Sequence, residues 1–175
     1  CPEWGLIEKL KYEKDVIGIY LTSHPLDNYR FEIEHFCQHP VRTLHLIDKI
    51  KENEVDDETK AAFNAIKNRE LVIGGMVTSA NHKTTKNGKP FGVFVLEDYS
   101  DSYEIALFGE DYVKHKAYLH EGYFIQVRGK IMERFRQPGN WSFETTNIQL
   151  LSGLRDKFAK SLTVQVLLEA LDEEL

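Results

Sequence analysis

Between Leu71 and Leu151 the chain runs through four or five stretches of strand length, and one short helical stretch interrupts them. In Tyr123–Arg134 the apolar residues Ile125, Val127 and Ile131 alternate with Gln126, Arg128, Lys130 and Met132. That period of two belongs to a strand with one buried face. In Trp141–Leu151 the same period divides Trp141, Phe143, Thr145 and Asn147 from Ser142, Glu144, Thr146, Ile148 and Leu150. Asn87-Gly88 marks a tight turn between the first two strands. Pro138-Gly139-Asn140 marks another between the last two. Gly109–Leu119 reads as the helix between the third and fourth strands.

This order predicts a five-stranded Greek-key β-barrel of the OB type, an architecture that commonly holds single-stranded nucleic acid or oligosaccharide. The expected class is α+β, with residues 1–70 a small helical region, 71–151 the barrel, and 152–175 the start of a further domain. Apolar residues recur at helical spacing over 5–21, and Ser23-His24-Pro25 is expected to stop that helix. A second helix is expected over about 27–36, closed by Pro40, and a helix or link over 61–68. In the tail, a helical turn or two is expected over 154–160, a strand over 162–166 and a helix over 167–175.

The formal net charge is −6, which excludes a broadly basic nucleic-acid binder. The charge is unevenly spread. Residues 1–70 hold ten Lys+Arg against fourteen Asp+Glu, residues 71–151 hold nine of each, and residues 152–175 hold three against five. No acid occurs from Leu71 to Leu96, where Lys83, Lys86 and Lys89 stand; Glu97, Asp98, Asp101 and Glu104 follow. A local basic hairpin on a neutral domain supports weak, modestly salt-dependent strand binding. No apolar run approaches the roughly 20 residues of a membrane span. Two cysteines give no disulfide framework or zinc spacing, so a cytoplasmic location is expected.

Catalytic patterns are weak. Glu97, Asp98 and Asp101 read as a solvated turn rather than a metal site. His35 and His39 have helical ligand spacing without a third ligand. His24 reads as a cap, and Ser23 and Cys37 lack a nucleophile's setting. No catalytic residue, metal or cofactor is expected in this chain.

The binding pattern is stronger. Lys83, Lys86 and Lys89 are candidates for phosphates, Phe91 and Tyr103 for stacking, and Arg128 for the outward face of the fourth strand. Arg134, Phe135, Arg136 and Trp141 are candidates on the last hairpin. Stacking contributes about 1–3 kcal/mol per base and tolerates any sequence. The competing reading is solvated charge for the lysines and core packing for the aromatics. Phe94 and Phe108 are assigned to the core, Phe135 and Trp141 to the surface.

Two phrases carry a resemblance: EKLKYEKDVIGIYLTSHPLDNY at 8–29 and VTSANHKTTKNGKPFGVFVLEDYSDSYEIALFGEDY at 77–112. Together, and with LRDKFAKSLTVQV at 154–166, they resemble the C-family replicative polymerases, the alpha subunits of bacterial DNA polymerase III, over nearly the whole chain. The resemblance implies a DNA-directed DNA polymerase as the parent protein, acting in chromosomal replication, with Mg²⁺ held by palm aspartates. No phrase here matches that palm or the metal-binding amino-terminal PHP domain, so this fragment is expected not to polymerise. No glutamine here (Gln38, Gln126, Gln149, Gln165) starts the family's clamp-binding peptide, and the chain is expected to begin just beyond it. The implied partners are single-stranded template DNA at the barrel, the sliding clamp near residues 1–70 and the clamp-loader subunit near 152–175, with no membrane. Two other readings stand beside this one: a protein-interaction spacer and an anticodon-binding OB domain.

Overall fold

A computed structural model describes residues 5–18, 20–51, 55–134, 137–158 and 160–161, with backbone alone at residues 6, 7 and 11. Four helices precede the sheet: α1 (Leu6–Ile17), α2 (Arg30–Phe36), α3 (Leu46–Lys49) and α4 (Asp57–Ile66). Five strands follow: β1 (Glu70–Thr84), β2 (Pro90–Glu97), β3 (Ser102–Phe108), β4 (Phe124–Glu133) and β5 (Trp141–Leu150). Helix α5 (Gly109–His115) lies between β3 and β4, and α6 (Leu154–Phe158) follows β5. The strand and helix expected over 162–175 lie outside the described residues.

The sheet is antiparallel throughout, in the order β3-β2-β1-β4-β5. The 15-residue β1 makes the barrel possible. Its first half, to Met76, pairs with β4, and its second half, from Met76, pairs with β2. A bulge at Thr78 sits just after this change of partner. A bulge bends its strand and increases the local twist, which lets one strand serve both halves of a curled sheet. Gly75 makes the bend sterically possible: a Cβ there would stand 2.5 Å from the Glu97 carbonyl oxygen.

The barrel core is built from the inward period of every strand, with Leu71, Ile73, Phe94, Leu96, Ile125, Val127 and Ile131 all fully buried. Each such side chain contributes roughly 1.5–3 kcal/mol on burial. Val41, Leu44 and Ile47, from the turn and helix before the sheet, and Phe63 of α4 belong to the same cluster. The helical region thus plugs the barrel.

Residues 25–37 cover a second surface. Leu26, Met76, Leu151 and Leu154 form a separate apolar cluster, with Tyr29, Ile33, Phe36 and Cys37 packed against it. This changes two expectations from the strand pattern. Gln126, placed on the exposed face of β4, is fully buried and donates from Nε2 to the Phe36 carbonyl at 2.6 Å. In β5 the phase switches at Thr146, which is the extra residue of a bulge between Arg128–Asn147 and Gly129–Thr145. Thr145 and Ile148 are therefore both buried, although they sit on opposite faces of an unbroken strand.

The first helix also ends earlier than the sequence pattern implies. Gly18, at φ 88°, terminates α1 after Ile17 and donates to the Lys14 carbonyl. A glycine in the left-handed region is the common helix stop. Ser23-His24-Pro25 instead starts the next element, a 3-10 turn over Pro25–Tyr29. His24 Nδ1 accepts from the Leu26 amide at 3.2 Å, and the Asp27 carboxylate accepts from the His24 amide at 2.8 Å. The Tyr99 hydroxyl donates to Asp27 at 3.1 Å, and the His24 ring packs on Tyr99 at 4.4 Å. This reciprocal cap ties the helical region to the β2–β3 turn. Burial lowers the His24 pKa and raises that of Tyr99 to about 12, where the bond to Asp27 adds to the effect.

Candidate nucleic-acid interface

The outer face of β1, β2 and β3 is the open face of the sheet. Gly92, Phe94 and Leu96 of β2 point inward and are buried, while Phe91, Val93 and Val95 point out. On β3, Ile105 and Leu107 are buried, while Glu104, Ala106 and Phe108 are exposed. Beyond the Thr78 bulge, Asn81 and Lys83 of β1 share the outward side. Register then assembles two rows across three strands: Lys83–Phe91–Phe108 and Asn81–Val93–Ala106. A third row, Ser79–Val95–Glu104, brings the first acid.

Phe91 and Phe108 stack on each other, with centroids 5.3 Å apart and planes 14° from parallel. Phe108 remains 54% exposed. An exposed large aromatic held flat against its neighbour is a ready platform for another planar ring.

The hairpin beside this pair is rigidly closed. Gly88, at φ 74°, donates to the Thr85 carbonyl at 2.9 Å, and Thr85 donates to the Lys89 carbonyl at 2.8 Å. Asn87 keeps a negative φ and Gly88 alone is left-handed, so the loop is a three-residue turn with a glycine bulge. Lys83, Lys86 and Lys89 all project into solvent, and among the described residues none is in an ion pair. Exposed Glu110 and Asp111 border the face beyond Gly109.

The structure brings together some of the expected site residues and separates others. Lys83, Lys86, Lys89 and Phe91 share one surface. Arg134 is exposed and lies across a cleft from Phe108. Phe135 and Arg136 lie outside the described residues. Tyr103 is not an outward platform: it shares the inward period of Ile105 and Leu107, packs on the core and meets the His45 ring edge-on at 5.2 Å. Burial raises its pKa, and the Asp48 carboxylate raises it further. Trp141, expected at the surface, is half-buried with its ring edge-on to Phe63 at 5.1 Å. Arg128 sits on the outer face of β4, but it donates to Gln126 at 3.3 Å and lies 3.9 Å from the Glu70 carboxylate, opposite Val72 rather than the lysine hairpin.

Phe108, like Tyr103 and Trp141, lies where the sequence reading does not place it. It was assigned to the core, yet its period on β3 is that of Glu104 and Ala106. The alternation of buried Ile105 and Leu107 is the signal that identifies it.

The acidic turn is a structural joint. Asp98 is buried and accepts from the amides of Val41, Ser100 and Asp101 and from the Ser100 hydroxyl, at 2.6–3.1 Å. Glu97 pairs with Lys14, and Asp101 lies 3.3 Å from His45 Nε2. Among the described residues no three His, Cys, Asp or Glu side chains gather to hold a metal.

Residues 71–151 match the family model of an OB-fold nucleic acid binding domain. The chain is 26% identical over 174 residues to the DNA polymerase III subunit alpha of Vibrio cholerae, covering 99% of this chain and 13% of that protein. It is 29% identical over 132 residues to that of Saccharopolyspora erythraea, covering 75% and 10%. It is 23% identical over 176 residues to that of Escherichia coli K12, covering 100% and 14%. The chain therefore spans 10–14% of the length of these relatives. Two solved structures are also similar. One is the second OB-fold domain of replication protein A from Methanococcus maripaludis (17% identity, 56% of this chain, 92% of that one, TM-score 0.33). The other is a mitochondrial single-stranded DNA-binding protein of S. cerevisiae (18% identity, 47% and 94%, TM-score 0.35). The homologues of this chain are thus DNA polymerase III alpha subunits from across the bacteria, matched along nearly its full length, with the OB-fold domain at residues 71–151.

Proposed function

We propose that this chain is a non-catalytic, single-stranded-DNA-binding OB module of a replicative polymerase. The observation that carries the reading is the exposed Phe91–Phe108 stack, flanked by three lysines that form no ion pair among the described residues, on a face whose first two rows hold no acid. A base stacks on the aromatic pair while Lys83, Lys86 and Lys89 neutralise neighbouring phosphates. Similarity to DNA polymerase III alpha supports the wider setting. Template-directed synthesis belongs to the longer protein, in the cytoplasm, with the sliding clamp and clamp-loader subunit contacted through regions flanking the barrel. The Mg²⁺ of such synthesis is assigned to the palm of the longer protein.

Titration of a fluorescent oligothymidylate at several salt concentrations tests this. Three neutralised phosphates on a single strand give a log–log salt slope of about −2. Changing Lys83, Lys86 and Lys89 to Glu should remove most of that slope and most of the affinity. Absence of binding at low salt by the folded chain would refute the reading.

A further inference from the structure

The barrel is open along one seam. Among the described residues β3 pairs only with β2, and β5 only with β4, so each has a free edge. The two edges face one another across a cleft of about 640 Å³ lined by residues 103–108 of β3 and 141–146 of β5. A free strand edge presents alternate unpaired N–H and C=O groups, and proteins usually blunt such edges with lysine, proline or a cover. Neither Ser102–Phe108 nor Trp141–Thr145 contains Lys or Pro. Cover is confined to the two ends: His45 Nε2 lies 3.1 Å from the Ser102 carbonyl at the start of β3, and at Thr146, where the bulge occurs, Lys114 of α5 donates to the Thr146 carbonyl at 3.5 Å. On the wall of the cleft, the Thr145 hydroxyl is buried without a hydrogen-bond partner, in a residue 6% exposed.

Direction and chemistry both narrow the occupant. β3 and β5 each run parallel to β1, since each is two antiparallel steps from it. A strand entering between them in the opposite sense is antiparallel to both, the more stable pairing. Its side chains then alternate between two environments. One set lies over Tyr103, Ile105, Trp141 and Phe143, the apolar floor. The other lies beside the exposed carboxylates Glu104 and Glu144, with Asp111 at the end of the cleft. None of these three carboxylates is in an ion pair among the described residues. Of the two cations that line the cleft among the described residues, Lys51 is held by Asp48 at 3.1 Å, which leaves Arg134. Phosphates are repelled by such a rim, whereas Lys and Arg side chains are attracted to it.

We propose that the β3–β5 seam receives an extended polypeptide segment of about five residues, roughly 16 Å long, in which Lys or Arg alternates with apolar side chains, and which completes the barrel as an added antiparallel strand. The seam borders the strand-binding face on β1–β3 and shares Phe108 and Glu104 with it, whereas Lys83 and Lys86 belong to that face alone.

The test uses the full 175-residue chain and a fluorescein-labelled peptide Lys-Val-Arg-Ile-Lys-Val, blocked at both ends, followed by anisotropy. Saturable binding is expected. It should weaken about tenfold in the exposed-surface variant Glu104→Lys/Glu144→Lys, an effect of two cross-strand charge pairs reversed. It should vanish when alternate peptide amides are N-methylated, and it should not change in Lys83→Glu/Lys86→Glu. Circular dichroism checks that each variant is folded. Three results would overturn the proposal: no saturation up to about 1 mM, the weak limit of useful affinity; equal binding of Glu-Val-Glu-Ile-Glu-Val; or self-association lost in the Glu104→Lys/Glu144→Lys variant, which assigns the seam to a second copy.

Discussion

Replacing Phe108 with alanine separates stacking from folding. The ring is 54% exposed, so about half of its apolar surface is already in water. Full burial of such a side chain contributes roughly 1.5–3 kcal/mol, so the stability lost is about 1 kcal/mol. If a base stacks on the Phe91–Phe108 pair, the lost interaction is about 1–3 kcal/mol, a drop in affinity of about 5- to 150-fold. The salt slope should stay at its wild-type value, because no phosphate contact is removed. Phe94→Ala provides the opposite pattern. That ring is fully buried, and its loss should cost about 3–5 kcal/mol of stability. Phe108→Trp keeps a platform and should retain binding. The assay is anisotropy of a labelled oligothymidylate at three salt concentrations, paired with urea unfolding. If Phe108→Ala unfolds normally and binds as tightly as the wild type, the platform reasoning fails. A parallel loss of salt slope would refute it differently, by making the ring's role indirect.

Two further predictions concern the joint between the helical region and the barrel. Asp98→Ala strands the buried Val41 amide and two turn amides, and should lower the unfolding free energy by about 3 kcal/mol or more in urea titrations, with Asp98→Asn milder. If the urea midpoint stays put, Asp98 is not the joint. Stability should also fall on acidification below pH 6.5, the ordinary histidine value. Burial lowers the pKa of His24, His39 and His115, so the unfolded chain binds more protons than the folded one once pH drops below the unfolded value. Their contribution is complete above that value and is lost toward the lower folded pKa. The lowered Asp27 carboxyl adds a loss only below pH 3.8. Urea midpoints at pH 7.5 and 5.5 check this, and a higher midpoint at 5.5 contradicts it.

Much of the barrel was legible because it rests on local rules. Alternation marks a strand whose two faces differ, and Asn87-Gly88 and Pro138-Gly139 mark turns that need particular backbone angles. The acid-free stretch around Lys83–Lys89 is likewise a property of neighbours in sequence. What failed did so where another element intervened. Gln126 reads as exposed because nothing in β4 announces that residues 25–37 will cover it. Tyr103 reads as a surface aromatic because α3 and its preceding turn, some fifty residues away, turn out to cover its side of β3. Gly18, in contrast, is legible as a helix stop, although His24-Pro25 is the more conspicuous signal.

Short-range order is therefore what the amino-acid string specified: strand periods, turn chemistry and charge segregation. Tertiary structure decided which aromatics remain in contact with water. Whether a side chain on a strand meets solvent depends on what packs on that face, and this is set by register and by distant helices. Phe91 and Phe108 lie seventeen residues apart in the chain and become one platform only through the pairing of β2 with β3. The open seam between β3 and β5 is equally a long-range outcome, because an edge is free only when the whole sheet has been assembled and no other described strand has reached it.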